Sequence, residues 1–172
     1  MLGGFSHPDH VQRVEHFELD GGVFFDHVVQ HQLEGVVSKR KALLYHSGRS
    51  GSWVKTKNKE TLPFVICGYE LAAGTSYELL LAYHDARGHL VYAGRVGVGF
   101  TAEHRSKLRD CLEHTDACPL SHSRLRKKTI RWVRPTLVAL VEQGAWRGAG
   151  FLREAVYLGL LDDIDPNDVS IA

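Results

Sequence analysis

Phe64-Val65-Ile66-Cys67-Gly68-Tyr69, Glu78-Leu79-Leu80-Leu81-Ala82-Tyr83-His84 and Leu90-Val91-Tyr92-Ala93-Gly94-Arg95-Val96 are three apolar runs separated by the Gly-containing turns Ala73-Gly74-Thr75 and Ala86-Arg87-Gly88. Runs of this length bounded by turn formers predict strands. Downstream, Thr101 stands as an N-cap before His104, Leu108, Cys111 and Leu112, which are spaced as a helix ending near Glu113. Cys118 to Lys128 then reads as a loop, and strands resume over Ile130 to Val133, Thr136 to Ala145 and about Gly150 to Leu152. Short strands with one helix after the third fit a small Greek-key barrel of the OB-fold type.

Upstream of Pro63 the texture differs. Asp20-Gly21-Gly22 precedes Val23, Phe24, His27, Val28 and His31, a pattern that predicts a helix from near Gly21 to before Glu34. A strand over Leu33 to Lys39, a basic Gly/Ser-rich loop from Tyr45 to Ser52 and a second strand over Trp53 to Lys57 follow. These changes place a boundary near Glu60 to Pro63. Residues 1–62 read as a partial α+β unit, 63–165 as the barrel and 166–172 as an acidic tail, so the class is α+β, mainly β.

Composition bounds the function classes. The 172 residues carry 21 Lys+Arg against 20 Asp+Glu, with 44% hydrophobic and 24% charged, which excludes disordered, collagen-like and membrane-spanning chains. A chain of this length buries roughly 70% of its unfolded surface, enough for one core and a smaller neighbour. Met1 to Phe5 lack the pattern of a signal peptide, and the expected setting is cytoplasmic. Cys67, Cys111 and Cys118 show no C-x-x-C spacing and read as buried free thiols. His27 and His31 stand one helical turn apart, but no third ligand is apparent and surface histidines are the simpler reading.

The balanced net charge conceals asymmetry. Between Glu34 and Lys59 the seven bases Lys39, Arg40, Lys41, Arg49, Lys55, Lys57 and Lys59 face Glu34 alone. Between Pro119 and Arg134 stand Arg124, Arg126, Lys127, Lys128, Arg131 and Arg134 with no acid, and from Glu154 onward there are only acids. Two basic segments point to a polyanion partner, although a solvated charged face produces the same pattern in any one run.

Strand alternation sharpens the first segment. Trp53, Lys55 and Lys57 share one face of their strand, whereas Glu34, Val36 and Ser38 lie opposite Val37 and Lys39 on theirs. Two lysines roughly 6 to 7 Å apart on a strand suit a phosphate, and a carboxylate nearby suits the divalent ion of a nucleotide. A solvated lysine face beside a glutamate has the same pattern.

Leu33-Glu34-Gly35-Val36-Val37-Ser38-Lys39-Arg40 and Tyr45-His46-Ser47-Gly48-Arg49-Ser50-Gly51-Ser52-Trp53-Val54-Lys55-Thr56-Lys57 resemble motifs IV and V of ATP-dependent DNA ligases, most closely the ligase module of bacterial ligase D. The similarity continues at Phe64 to Tyr69, Leu90 to Phe100, Trp132-Val133-Arg134-Pro135 and Trp146 to Leu160, covering about residues 14 to 164. The resemblance implies the C-terminal piece of a nucleotidyltransferase (adenylation) domain followed by an OB-fold. It implies ATP or AMP and Mg²⁺ or Mn²⁺ as cofactors, nicked or broken double-stranded DNA as partner and a bacterial nucleoid setting. Residue by residue, Glu34 would bind the metal and, with Lys39, Lys55 and Lys57, the nucleotide; Lys55, Lys57 and Glu34 would act in catalysis. Arg40, Lys41, Arg49, Arg95, Arg124, Arg126, Lys127 and Lys128 would contact DNA, with a structural ion pair as the other reading of Arg95.

Two departures limit what the resemblance implies. The nucleophile of the family lies in a Lys-x-Asp-Gly motif, and no lysine here is followed by x-Asp-Gly; the one Asp-Gly pair, Asp20-Gly21, has Glu18 at the lysine position. Motif VI has Arg-x-Asp-Lys after Gly-Leu, whereas Gly159-Leu160 is followed by Leu161-Asp162-Asp163-Ile164. Both losses fall on the ATP-consuming step, so self-adenylation is not expected. Two readings follow: a nick-sealing ligase of the end-joining type whose N-terminal half is supplied elsewhere, for instance by a separate chain, or a non-catalytic OB-fold remnant that binds DNA. An RNA ligase or capping-type nucleotidyltransferase shares the motifs but fits the C-terminal similarity less well.

Overall fold

A computed structural model describes residues 16–44, 46–71, 77–121, 125, 129–144 and 152–170. Its elements run α1 (Gly21–Gln30), β1 (Gly35–Lys39), β2 (Trp53–Lys57), β3 (Lys59–Leu71), β4 (Tyr77–His84), β5 (Leu90–Val96), α2 (Ala102–Cys111), β6 (Ile130–Trp132), β7 (Val138–Gly144) and β8 (Val156–Leu161). Asp20 caps α1, accepting from Gly22 N at 2.9 Å and Val23 N at 3.2 Å, and Thr101 caps α2, accepting from His104 N at 3.1 Å. The spacing rules thus locate both helices, and β1, β2, β4 and β5 fall where the apolar runs and turn formers place them.

Sheet order is β5-β4-β3-β7-β8, with β6 also on β3. One edge of β3 pairs with β7 along Lys59 to Val65 and with β6 along Gly68 to Glu70, while β4 takes the other edge from Val65 onward. A parallel bridge between Val98 and Val156, with Tyr157 N donating to Val98 O at 3.0 Å, joins the two outer strands and closes the barrel. Closure needs Gly99 at φ +94°, where a Cβ would collide with Tyr157 O. Five strands closed this way, with α2 between the third and fourth, form an OB-fold.

Alternation along β3 and β4 fills two cores. Phe64, Ile66, Leu79 and Leu81 point into the barrel with Ala93, Val96, Val141 and Tyr157, and Leu108 of α2 plugs one end. Val65, Cys67, Leu80 and Ala82 point outward and are covered by Leu90, Leu120, Ile130, Val138 and Val169. Burial on both faces explains why these strands read as continuous apolar runs, and each buried Val, Leu, Ile or Phe contributes roughly 1.5–3 kcal/mol. Of the three cysteines only Cys67 is buried; Cys118 is exposed.

The C-terminal end differs from the tail expected of it. β8 precedes a 3-10 turn over Pro166–Asp168 that Asp165 caps by accepting from Asn167 N at 2.8 Å. Val169 is 1% exposed and its carbonyl accepts from His84 N at 2.8 Å. The acids sit on the outer side of a segment that apolar residues pin to β4. The strand expected over about Gly150 to Leu152 falls mostly outside the described residues; Leu152 itself is irregular and donates to Ala93 O at 2.9 Å. β3, in turn, begins at Lys59 and runs unbroken through Glu60 to Pro63.

Residues 16–57 are built otherwise. Val28 is their one fully buried hydrophobic among the described residues, while Phe17, Leu19, Leu33, Val37, Trp53 and Val54 are exposed. β1 and β2 form a two-stranded sheet with no third strand described beside them. A pair of strands with so little apolar cover is marginal alone.

Candidate nucleotide site

The register of β1 and β2 sets Gly35 opposite Lys57, Val37 opposite Lys55 and Lys39 opposite Trp53. Directly opposed residues share a face, so Lys39, Trp53, Lys55 and Lys57 project together. The Lys39 ammonium lies 4.2 Å from the Trp53 ring centroid, a cation–π contact that orients both. Beside it the 46–50 loop, with His46, Arg49 and Ser50, walls a depression of about 280 Å³ against Trp53.

Glu34 joins this face by a route that alternation does not foresee. Strict alternation puts it with Val36 and Ser38, yet Glu34 Oε1 accepts from Lys55 Nζ at 2.6 Å. Gly35 makes the difference. Its φ of +151° turns the chain before β1, and a Cβ there would run into Thr56 O and lie 2.8 Å from Lys57 Cα. Asn58, only 5% exposed, fixes the turn: its N–H donates to Glu34 O at 2.9 Å and its side chain to Leu33 O at 3.2 Å. Sequence reasoning missed both anchors, for which an asparagine between Lys57 and Lys59 was the available signal.

Electrostatics complete the site. The hydrogen bond to Glu34 holds the Lys55 ammonium above the usual lysine range. Lys57 is ion-paired with Glu154, which lies just before β8, and this contact holds the Glu154 carboxyl below its ordinary value. Glu154 sits at φ +51°, unusual for a residue with a side chain. Each lysine is thus matched by one carboxylate, an arrangement in which phosphate oxygens can take the carboxylate's place.

The other expected site residues divide. Arg40 and Arg49 are exposed, and Lys41 pairs with Glu18 at 2.7 Å. Arg95 is 24% exposed in its side chain and held by Glu70, by Glu78 at 3.3 Å and by the Tyr92 hydroxyl at 3.3 Å. These contacts are those of a structural ion pair. Arg124, Arg126, Lys127 and Lys128 lie outside the described residues. His27 and His31 form no metal cluster; no group of three or more His, Cys, Asp or Glu suited to a metal occurs among the described residues. No described helix is long and apolar enough to cross a membrane.

Residues 72–164 match the family model described as ATP dependent DNA ligase C terminal region. The chain belongs to the ATP-dependent DNA ligase family. It is 36% identical over 147 residues to the multifunctional non-homologous end joining protein LigD of Pseudomonas aeruginosa, covering 80% of this chain and 18% of that protein. It is 35% identical over 159 residues to the LigD of Mycolicibacterium smegmatis, covering 87% of this chain and 21% of that one. In structure it is similar to the ligase domain of Mycobacterium tuberculosis LigD, with TM-score 0.60 and 34% identity over 89% of this chain and 52% of that domain. A mycobacterial DNA ligase D complexed with ATP and MES aligns with TM-score 0.56 and 35% identity. The chain therefore spans about a fifth of the curated relatives and about half of the solved ligase domain.

Leu160 packs against the barrel interior, Leu161 and Ile164 against the outer core, and Asp162 accepts from Lys107 at 2.9 Å.

Proposed function

We propose that this chain is the C-terminal part of an ATP-dependent DNA ligase of the end-joining type, acting on nicked or broken double-stranded DNA in repair and recombination once the rest of the nucleotidyltransferase domain is supplied. The observation that carries the reading is the convergence of Lys39, Lys55, Lys57 and Glu34 on one face of the β1–β2 sheet. In this reading 1–62 is the end of the adenylation domain and 63–165 the OB-fold, with β3 of the barrel already beginning at Lys59. The exposed apolar residues of the first unit are then the surface on which the remaining half packs.

In the sealing step the 3′-hydroxyl oxygen attacks phosphorus of an adenylated 5′-phosphate; a P–O bond forms, the hydroxyl proton passes to water, and the bond to AMP breaks with its electron pair leaving on AMP. Lys55 and Lys57, on one face of β2, would balance the charge on the departing phosphate. Glu34 suits Mg²⁺ or Mn²⁺: its side chain is 71% exposed, and such ions bind through one or two carboxylates plus substrate phosphates. The ion supplies charge neutralisation at the reacting phosphate. Charging with AMP needs an amine that no Lys-x-Asp-Gly motif provides here.

The test is sealing of a pre-adenylated nicked duplex, with Mg²⁺ and no ATP, by the chain together with the N-terminal half of a LigD ligase domain. Sealing that disappears in Glu34→Gln or Lys55→Ala establishes a final-step catalyst. Binding of the nick without sealing supports the second reading, a DNA-binding remnant, which the packing of Leu160 and Leu161 favours.

A further inference from the structure

Residues 152–157 form a seam that closes the barrel against residues 93–99. Leu152 N donates to Ala93 O at 2.9 Å and Tyr157 N to Val98 O at 3.0 Å, and between these two stitches Glu154 meets Lys57. We propose that the Lys57–Glu154 ion pair is an autoinhibitory strap: a phosphate that takes Lys57 frees Glu154 and loosens the seam. The inference rests on the reading of the β1–β2 face as a nucleotide site and goes beyond it by coupling that face to the closure of the barrel.

The seam is a close fit with one irregular residue inside it. A Cβ on Gly94, at φ +149°, would lie 2.8 Å from Leu152 Cβ, and one on Gly99 would collide with Tyr157 O. Glycines at both ends let the two backbones approach, which leaves the seam little slack. Glu154 stands between them at φ +51°, a left-handed conformation that is unfavourable for any residue with a Cβ. Regular pairing with β7 begins only at Val156, opposite Glu142. Before it, Glu154 carries its carboxylate to an ammonium on another sheet, 97 residues away in sequence.

The strap is one that an anion can undo. The Glu154 side chain is 65% exposed and that of Lys57 30%, so a ligand reaches the pair from solvent. Among the described residues Glu154 is the carboxylate paired with Lys57; Glu34 takes Lys55 and Glu142 takes Lys59, each at 2.6 Å. Lys55 shares the face of Lys57, so one phosphate draws on two ammonium groups where Glu154 is bonded to one. With Lys57 taken, the left-handed turn loses the contact that offsets its cost, and the stitches on either side of it open more often.

Hydrogen exchange of the whole chain, read at the Leu152 and Tyr157 amides, tests this, with calorimetry of AMP on the same samples. Saturating AMP should speed exchange at both amides by about two- to five-fold, the range for one exposed ion pair, and leave the Leu80 and Leu81 amides of β4 unchanged. Glu154→Gln and Lys57→Met should show the faster exchange without AMP, and AMP should add nothing to it. AMP that binds while the seam stays as it was, or becomes better protected, overturns the coupling and spares the nucleotide reading. A seam as well protected in Glu154→Gln as in the unaltered chain overturns it as well. No heat from AMP removes the nucleotide reading, and the coupling with it.

Discussion

Lys57 and Glu154, 97 residues apart, form an ion pair that ties the β1–β2 sheet to the start of the last barrel strand. The Glu154 carboxylate holds the ammonium that, in the proposed mechanism, balances a phosphate, so the OB-fold carries an internal competitor for its own substrate. Glu154→Gln should therefore raise affinity for AMP or an adenylated nick by roughly two- to five-fold, the range expected for one exposed ion pair. Calorimetric titration of AMP reads this directly. Unchanged or weaker binding would show that Glu154 does not compete for Lys57.

Gly35 is the position at which the site is most easily broken. A side chain there meets the β2 backbone and cannot take φ +151° without strain of order 1–3 kcal/mol. Gly35→Ala should abolish Lys55-dependent AMP binding while the barrel melts as before. Gly51→Ala, where an added Cβ meets nothing within 4 Å, should be silent. A Gly35→Ala protein that binds normally would detach Glu34 from the site.

The barrel was legible because Phe64 to Val96 carry apolar residues on both faces of β3 and β4, a pattern set by local spacing. Thr101 announces its helix for the same reason: capping is chemistry within three residues. What failed to show was long-range or conformational. A positive φ at Gly35 leaves no mark beyond a glycine, and the partners of Lys57 and Arg95 lie on strands whose register the sequence does not state. The run of acids from Glu154 onward hid the apolar run Val156 to Leu161 and the anchor at Val169.

That anchor makes a stability prediction. Val169 closes the outer core against Leu80, Ala82 and Leu90, so Val169→Ala should cost about 1–2 kcal/mol in denaturant unfolding. Val169→Asp should cost more, because an unpaired charge would be buried. A loose acidic tail would tolerate both, and equal midpoints for all three proteins would restore that picture.

Stability should also respond to acid with a definite sign. Glu18, Asp85 and Glu154 have carboxyl groups held below their ordinary values by Lys41, by the His89 backbone N–H and by Lys57 respectively. In the folded state they bind protons less readily than in the unfolded chain, so the stabilisation is complete above their ordinary range and disappears as pH falls through the lowered values. Urea midpoints should hold steady from neutrality to about pH 5 and then decline. The decline should be shallower in Glu154→Gln, which has already given up its share. A midpoint that rises on acidification would contradict these ion pairs.

Salt reports on the cations left for DNA. Arg95, Lys41 and Lys59 are matched with Glu70 and Glu78, Glu18 and Glu142, whereas Arg40 and Arg49 are exposed. Adding Arg124, Arg126, Lys127 and Lys128 gives about six phosphate contacts, for which duplex affinity should fall on the order of 10³-fold between about 50 and 200 mM salt. Replacing the last four by Gln should reduce the slope of log affinity against log salt by roughly one for each phosphate no longer neutralised. Anisotropy at several salt concentrations measures both slopes. A flat response in the unaltered chain removes the basic segments from DNA recognition, while a steep slope that the four substitutions leave unchanged assigns the phosphates to other cations.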